Sequence, residues 1–366
     1  MVSSLSGGHP AARLRWEGES YGLDAAGVEG LAAAFGADPA PWQADLLERL
    51  RAWGDPGVGE LVFTTSGSTG APVAWGHPRA RLVASADRTL ASPLLAGLAP
   101  AEAGAPPLRA LLAMPARFVG GWMMVVRAWR AGWELTLVEP RATPEWREED
   151  APFDFVALTP MQALALGPRL AAFRRVLLGG AAVPPSAAWP PTTEVWSSFG
   201  MTETASHVAL RRLHPHPEPA FTCLPGVTYS LDGSGALLLR DAHLDLPPLL
   251  TRDAAAPGPT PTSFHWLGRL DDVINTGGLK VHPAIVEQHL APAIGEAFVV
   301  FGLPHPTLGQ QVAIRIDGPA PDAAAQAELR LRAWEALAPH LPKAALPRHW
   351  EWAPLERTES GKWKRP

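Results

Sequence analysis

Six short apolar runs, accompanied by helical patterns, leave this chain few folds to choose from. They occupy residues 60–64, 111–115, 133–138, 155–160, 174–180 and 194–200. The helical patterns are 41–53, with Trp42, Leu46, Leu47, Leu50 and Trp53 on one side, then 79–90, then a segment carrying Met123, Met124, Val126 and Trp129. Strands separated by helices imply parallel α/β layers, which bind ligands at the carboxyl ends of their strands. The loops at Ser66, Gly179 and Gly200 are therefore expected to converge.

The texture changes near Phe221. Short strand patterns at 227–231, 235–240 and 264–267 predict a small β-rich subdomain. The polar, glycine-containing stretch 270–278 reads as a hinge and turn. Beyond it the sequence predicts a helix at 283–290, strands at 297–301 and 311–316, and a helix at 323–337. The expected fold class is α/β, α+β overall. A large N-terminal domain, residues 1–268, joins layered α/β subdomains to the β-rich one, and residues 269–366 form a small mobile α+β C-terminal domain. A chain of 366 residues has room for both.

Composition narrows function by exclusion. A net charge of −5 and a pI near 6.2 give no global attraction to nucleic acid or to an anionic membrane, so any phosphate binding must be local. The single cysteine, Cys223, excludes an internal disulfide and a cysteine-rich metal site. His214 and His216 sit among prolines, and no His-Glu-x-x-His pattern occurs. The first twenty residues lack a signal peptide's apolar run, and the most apolar later stretch, 118–129, is too short to span a bilayer. The expectation is a cytoplasmic protein without nucleic-acid or membrane partners, with a homodimer as the common prior.

Several local patterns carry chemistry. Thr65, Ser66, Gly67, Ser68, Thr69 and Gly70 follow an apolar strand directly. The two glycines permit tight turns, and the hydroxyls and amides offer donors to phosphate oxygens. The loop lacks a Walker ending, so composition leaves an anion site and an ordinary turn both open. Thr202 and Glu203 set a hydroxyl beside a carboxylate after another strand, which suits a phosphate and Mg²⁺ or simply a helix N-cap. Asp253 and Arg269 have the chemistry to hold a nucleotide's ribose, and equally that of surface ion pairs. Lys362, in a cationic tail, is either a solubilising charge or a catalytic one.

Order along the chain changes the weight of these pieces. The run 65–72, then Gly179-Gly180-Ala181, Phe199-Gly200-Met201-Thr202-Glu203, Thr251-Arg252-Asp253, Gly268-Arg269-Leu270-Asp271-Asp272, and Arg357-Thr358 with Gly361-Lys362 together resemble the adenylate-forming superfamily of acyl- and aryl-CoA ligases. The resemblance runs from about residue 60 to the C-terminus. Looser marks are Met114-Pro115, Phe118-Val119-Gly120-Gly121, Arg127, Leu158 to Gln162 and Ile274 to Val281. They make the chain most similar to the short 2-succinylbenzoate-CoA ligases of menaquinone synthesis.

The resemblance implies an enzyme that adenylates a carboxylic acid with ATP and Mg²⁺, then transfers the acyl group to CoA. Residues 65–70 would hold the β- and γ-phosphates, Thr202 and Glu203 would serve phosphate and metal, and Gly179, Gly180, Ala181, Ser198, Phe199 and Gly200 would flank adenine. Asp253, helped by Arg269, would hold the ribose; Lys362 would be the catalytic cation; Asp271 would be the hinge; Gly277 and Gly278 would approach CoA. Phe118, Gly121, Arg127, Thr159 and Gln162 would line the acyl pocket, with Arg127 pairing a second carboxylate. Two departures stand out: Val73 replaces the usual lysine after the loop proline, and Phe118 replaces a frequent histidine. The front is also abbreviated against longer ligases. A ligase for another aromatic or medium-sized acid, and a nucleotide-binding pseudo-enzyme, are the competing readings.

Overall fold

The computed structural model, which describes residues 8–64, 73–98, 106–184, 187–356 and 363–366, turns five of the six apolar runs into parallel strands. Arg109–Leu112, Glu134–Leu137, Phe153–Leu158, Phe173–Leu178 and Glu194–Met201 pair in parallel, each with its neighbour in the layer. Their residues are apolar almost throughout because both faces are covered. The chain divides into two units, one of Met1–Ala182, Ala188–Thr228 and Arg240–Pro247, the other of Val183–Ala187, Tyr229–Leu239 and Pro248–Pro366.

In the first unit, the spatial order of strands is Phe221–Cys223, Ser206–His214, Glu194–Met201, Phe173–Leu178, Phe153–Leu158, Arg109–Leu112, Glu134–Leu137, Arg13–Trp16 and Glu19–Gly22. Helix Val119–Ala131 is the central buried element, with Trp122 to Trp129 all inside. It packs on helix Arg79–Leu90 and on the strands. Edge-to-face contacts join Trp53, on helix Pro41–Gly54, to Trp122 at 5.8 Å and Trp129 at 5.3 Å between centroids.

The sixth apolar run behaves differently from its expected role. Glu60–Thr64 alternates, with Leu61 and Phe63 buried and Val62 half exposed, and it pairs antiparallel with Ala74–Pro78 in a two-stranded ribbon. A period of two marks a strand with one wet face, so it is no member of the parallel layer. The opening segment adds a hairpin, Arg13–Trp16 with Glu19–Gly22, that no sequence pattern singled out.

The second unit contains most of a meander of Val227–Leu231, Ala236–Asp241, Leu246–Pro257 and Ser263–Arg269. It continues into a five-stranded sheet of Leu279–Val281, Ile274–Thr276, Gly309–Ile316, Phe298–His305 and His349–Trp352. Helices Pro283–Leu290 and Ala323–Leu337 cover it, burying Val286, Leu290, Ala333 and Leu337 against Val300, Val312 and Ile314. This is a separate core. Among the described residues no helix is long and apolar enough to cross a membrane.

Candidate active site

Two expected loops do meet at the carboxyl ends of the parallel strands. Ser198, on Glu194–Met201, donates its hydroxyl to the Leu178 carbonyl at 2.9 Å, and the Gly179 amide donates to Leu158 O at 3.1 Å. Gly179 is therefore held against Ser198, while Gly180 and Gly200 are exposed. Ala181 follows half-buried, and Phe199 turns inward to pack against Phe221 at 5.9 Å.

The turn beyond this strand carries Thr202 and Glu203, both half-buried, in a short 3-10 helix, Thr202–Thr204. Thr204 stabilises the turn: its Oγ1 accepts from Met201 N at 3.1 Å and donates to Ser206 O at 2.7 Å. Across from it, His77 is fully buried, with Nε2 2.7 Å from the Thr202 carbonyl. A carbonyl only accepts, so Nε2 carries the proton and Nδ1 is the acceptor facing Arg81 Nη1 at 3.5 Å. Burial foremost, and the Arg81 charge, hold His77 below the ordinary histidine pKa despite the bond to Thr202.

Arg127 is the unusual charge of this unit. It is 1% exposed, its Nη2 donates to Ser206 Oγ at 3.2 Å, and its Nε has no partner among the described residues. Burial alone pushes its pKa down to about 9, with no carboxylate opposing that effect. An unpaired buried guanidinium is costly, and a carboxylate arriving with two oxygens would relieve it.

The other residues expected to line an acyl pocket divide. Gly121 lies in the first turn of the Arg127 helix, where a Cβ would stand 2.3 Å from the Pro115 carbonyl, so only glycine fits. Phe118, at that helix's N-terminus, lies under the Arg117 guanidinium at 4.9 Å. Thr159 and Gln162 form a capping box on helix Pro160–Leu166. The Gln162 amide also donates to Ala113 O and Arg141 O, both at 2.9 Å, which leaves it little to offer a ligand.

In the second unit, Asp253 and Arg269 are register partners on adjacent strands. The Asp253 carboxylate, 5% exposed, accepts from Trp266 Nε1 at 2.9 Å and from Arg269 Nη1 at 3.4 Å. Asp271 lies 3.5 Å from both Arg252 and Arg269, forming a half-exposed charge cluster at the expected hinge. Gly277 and Gly278 make the two-residue turn between Ile274–Thr276 and Leu279–Val281, with φ of 56° and 84°. Both angles demand glycine in such a hairpin.

Thr65, Ser66, Gly67, Ser68, Thr69, Gly70 and Lys362 lie outside the described residues. The residues on either side of 357–363 are joined: Lys364 N donates to Glu356 O at 2.9 Å. Val73 is exposed. Sequence reading missed His77, Ser206, His207 and Trp266, each of which touches a nominated residue or its support. Only their distance in space reveals them, since none forms a short motif.

No protein-family model matches the chain. A crystal structure of an acyl-CoA synthetase (AMP-forming)/AMP-acid ligase II-like protein from Dyadobacter fermentans is 32% identical, with a TM-score of 0.54, over 90% of this chain and 93% of that one. The feruloyl-CoA synthase of an Amycolatopsis species is 28% identical over 310 residues, 70% of this chain and 60% of that protein. The chain spans only 16% of the length of the Xylella fastidiosa acetyl-coenzyme A synthetase, matching it at 39% over 106 residues. The O-succinylbenzoate CoA synthetase of Bacillus subtilis, solved with ATP and magnesium, shares the fold at 18% identity and a TM-score of 0.63, over 82% of this chain and 68% of that one.

Proposed function

The chain belongs to the family of AMP-forming acyl-CoA synthetases and AMP-acid ligases, and on that premise we propose that it activates an aromatic acid bearing a second carboxylate, with 2-succinylbenzoate the best fit. In the first step a carboxylate oxygen attacks the α-phosphorus of ATP, and pyrophosphate leaves. In the second the CoA sulfur attacks the acyl carbon, AMP leaves and the thiol proton passes to solvent.

The observation that carries this reading is Arg127, a buried cation on the helix that opens at Phe118, without a carboxylate partner among the described residues. The charge suits the carboxylate that is not activated. Lys362 is assigned the charge shared by the attacking carboxylate and α-phosphate, Asp253 and Arg269 the ribose, and residues 65–70 the outer phosphates. Glu203 has no salt bridge among the described residues, and one carboxylate fits a Mg²⁺ that takes its other ligands from phosphates and water. Such an ion would neutralise phosphate charge. Rotation of residues 269–366 about Asp271 would then bring Gly277 and Gly278 to the thiol step. Similarity to feruloyl-CoA synthase favours, as a second reading, an aromatic acid lacking the extra carboxylate.

Pyrophosphate release against a panel of carboxylic acids, with and without CoA, tests the proposal. Release with 2-succinylbenzoate and CoA-dependent AMP formation are expected. Feruloyl-type acids turning over faster would favour the second reading, and ATP binding without turnover of any acid would make the chain a pseudo-enzyme. In the same assay Lys362→Ala should cost adenylation on the order of 10²–10³ fold, while a supplied acyl-adenylate still reacts with CoA. Equal loss in both steps would remove the assignment of Lys362 to the first alone.

A further inference from the structure

Behind Arg127 lies a chain of buried polar groups whose directions can be worked out. Thr89 Oγ1 donates to the Ser85 carbonyl at 3.0 Å, and it lies 3.2 Å from His207 Nε2. A hydroxyl has one proton, so with that proton on the carbonyl, Thr89 accepts from His207 Nε2–H. The neutral ring then presents an unprotonated Nδ1, 3.4 Å from Ser206 Oγ, and Ser206 directs its proton there. The lone pairs of Ser206 are left facing Arg127 Nη2 at 3.2 Å, a group that only donates.

The surroundings keep the ring neutral. His207 is 5% exposed; burial first, then the charges of Arg127 and Arg88, hold its pKa well below the ordinary value. Arg88 itself is paired with Asp241 at 2.5 Å and donates to the His207 carbonyl at 3.3 Å. The backbone is also constrained at this point. Ala205 and Ser206 have φ of 51° and 118°, unfavourable for residues with a Cβ. Ser85 Oγ, donating to Ala205 O at 3.0 Å, helps to hold that turn.

Resting on the reading of Arg127 as the anchor for a second carboxylate, we propose that His207 is a positioning residue for acyl specificity, fixing the Ser206 hydroxyl as an acceptor and thereby Arg127 in its orientation. Ser206 then cannot compete as a donor. With Nη1 directed at Met124 Sδ at 4.0 Å, Nε is the donor left without a partner among the described residues, and it would be offered to an acid in one arrangement.

Calorimetric binding to the full-length protein tests this with two probes, 2-succinylbenzoate and 3-benzoylpropanoate, which lacks the ring carboxylate. Wild type should prefer the dicarboxylate. His207→Leu should reduce that preference about tenfold, the scale of one charge-assisted hydrogen bond, with ATP affinity unchanged. His207→Asn, whose amide oxygen can take the place of Nδ1, should restore most of it. Nitrogen NMR of histidine-labelled wild type should show His207 protonated on Nε2 alone, a signature that packing by itself does not set.

The outcomes separate the two ideas. A wild type without preference, or one whose preference survives Arg127→Leu, overturns the anchor and with it the role of His207. A preference that Arg127→Leu abolishes but His207→Leu leaves intact overturns the positioning role alone. Should His207→Leu fail to fold, the NMR result decides: an Nδ1–H tautomer overturns the proposal.

Discussion

Asp253 shows what a single residue can gain from a neighbour that no motif includes. Its carboxylate is bonded on one oxygen by the Trp266 indole and on the other by Arg269, so the rotamer is fixed before any nucleotide arrives. If Asp253 holds the ribose, Trp266→Phe removes the indole donor while keeping an aromatic ring. The KM for ATP should then rise about fivefold, the worth of one neutral hydrogen bond, with the KM for the acid unchanged. Equal shifts in both constants would show that Trp266 supports the fold alone. Asp253 and Arg269 were readable from the sequence because a strand-borne Thr-Arg-Asp and a later Gly-Arg recur in order with other motifs. Trp266 was not, because an indole two residues from a glycine resembles any half-buried aromatic. Gln162 shows another side of the same limit: expected at a substrate pocket, it also completes a capping box and bridges two backbone carbonyls, which no motif reveals.

At the scale of elements, helices were legible almost to the residue. Pro283–Leu290 and Ala323–Leu337 fall where the apolar period and an initial proline or aspartate cap put them. Strands at the margins were not. Leu246–Pro257 carries Pro247, Pro248 and Pro257, and Ser206–His214 carries Arg211-Arg212 in its second half, so neither has an uninterrupted β pattern. Their strand character comes from neighbours that supply hydrogen bonds. Helix Val119–Ala131 carries Arg127, and its first turn is pressed against the backbone at Met114 and Pro115. Backbone cannot swing aside as a side chain can. Gly121→Ala should therefore destabilise the protein by roughly 1–3 kcal/mol, an overpacking cost, in urea unfolding. Gly120→Ala, whose added methyl would meet only the Met114 side chain at 3.5 Å, is the matched control. Equal stability of the two variants would mean that the helix can shift outward.

The whole molecule carries lowered histidines in both units: His77 and His207 in the first, His282 and His289 in the second. Burial is the leading cause in each case, and His289 also stacks on His340 at 3.8 Å, where a second charge is unwelcome. The sign of the effect on stability follows from proton counting. Below about pH 6.5 the unfolded chain binds protons at these positions that the folded chain refuses, so stability is full above that value and falls with acid. The carboxylates held low, Glu29, Glu149 and Asp232, act in a different window, since their unfolded forms take protons only near pH 4.5 and below. Between pH 7.5 and 5.5 the histidines therefore dominate. Fully buried His207 contributes up to about 1.4 kcal/mol for each pH unit below its unfolded value. The urea midpoint should stay nearly level down to about pH 6.5 and fall below it, and His207→Asn, which cannot titrate, should fall less steeply than wild type. Parallel pH profiles for the two proteins would mean that His207 accepts a proton in the folded state, contrary to its place between two arginines.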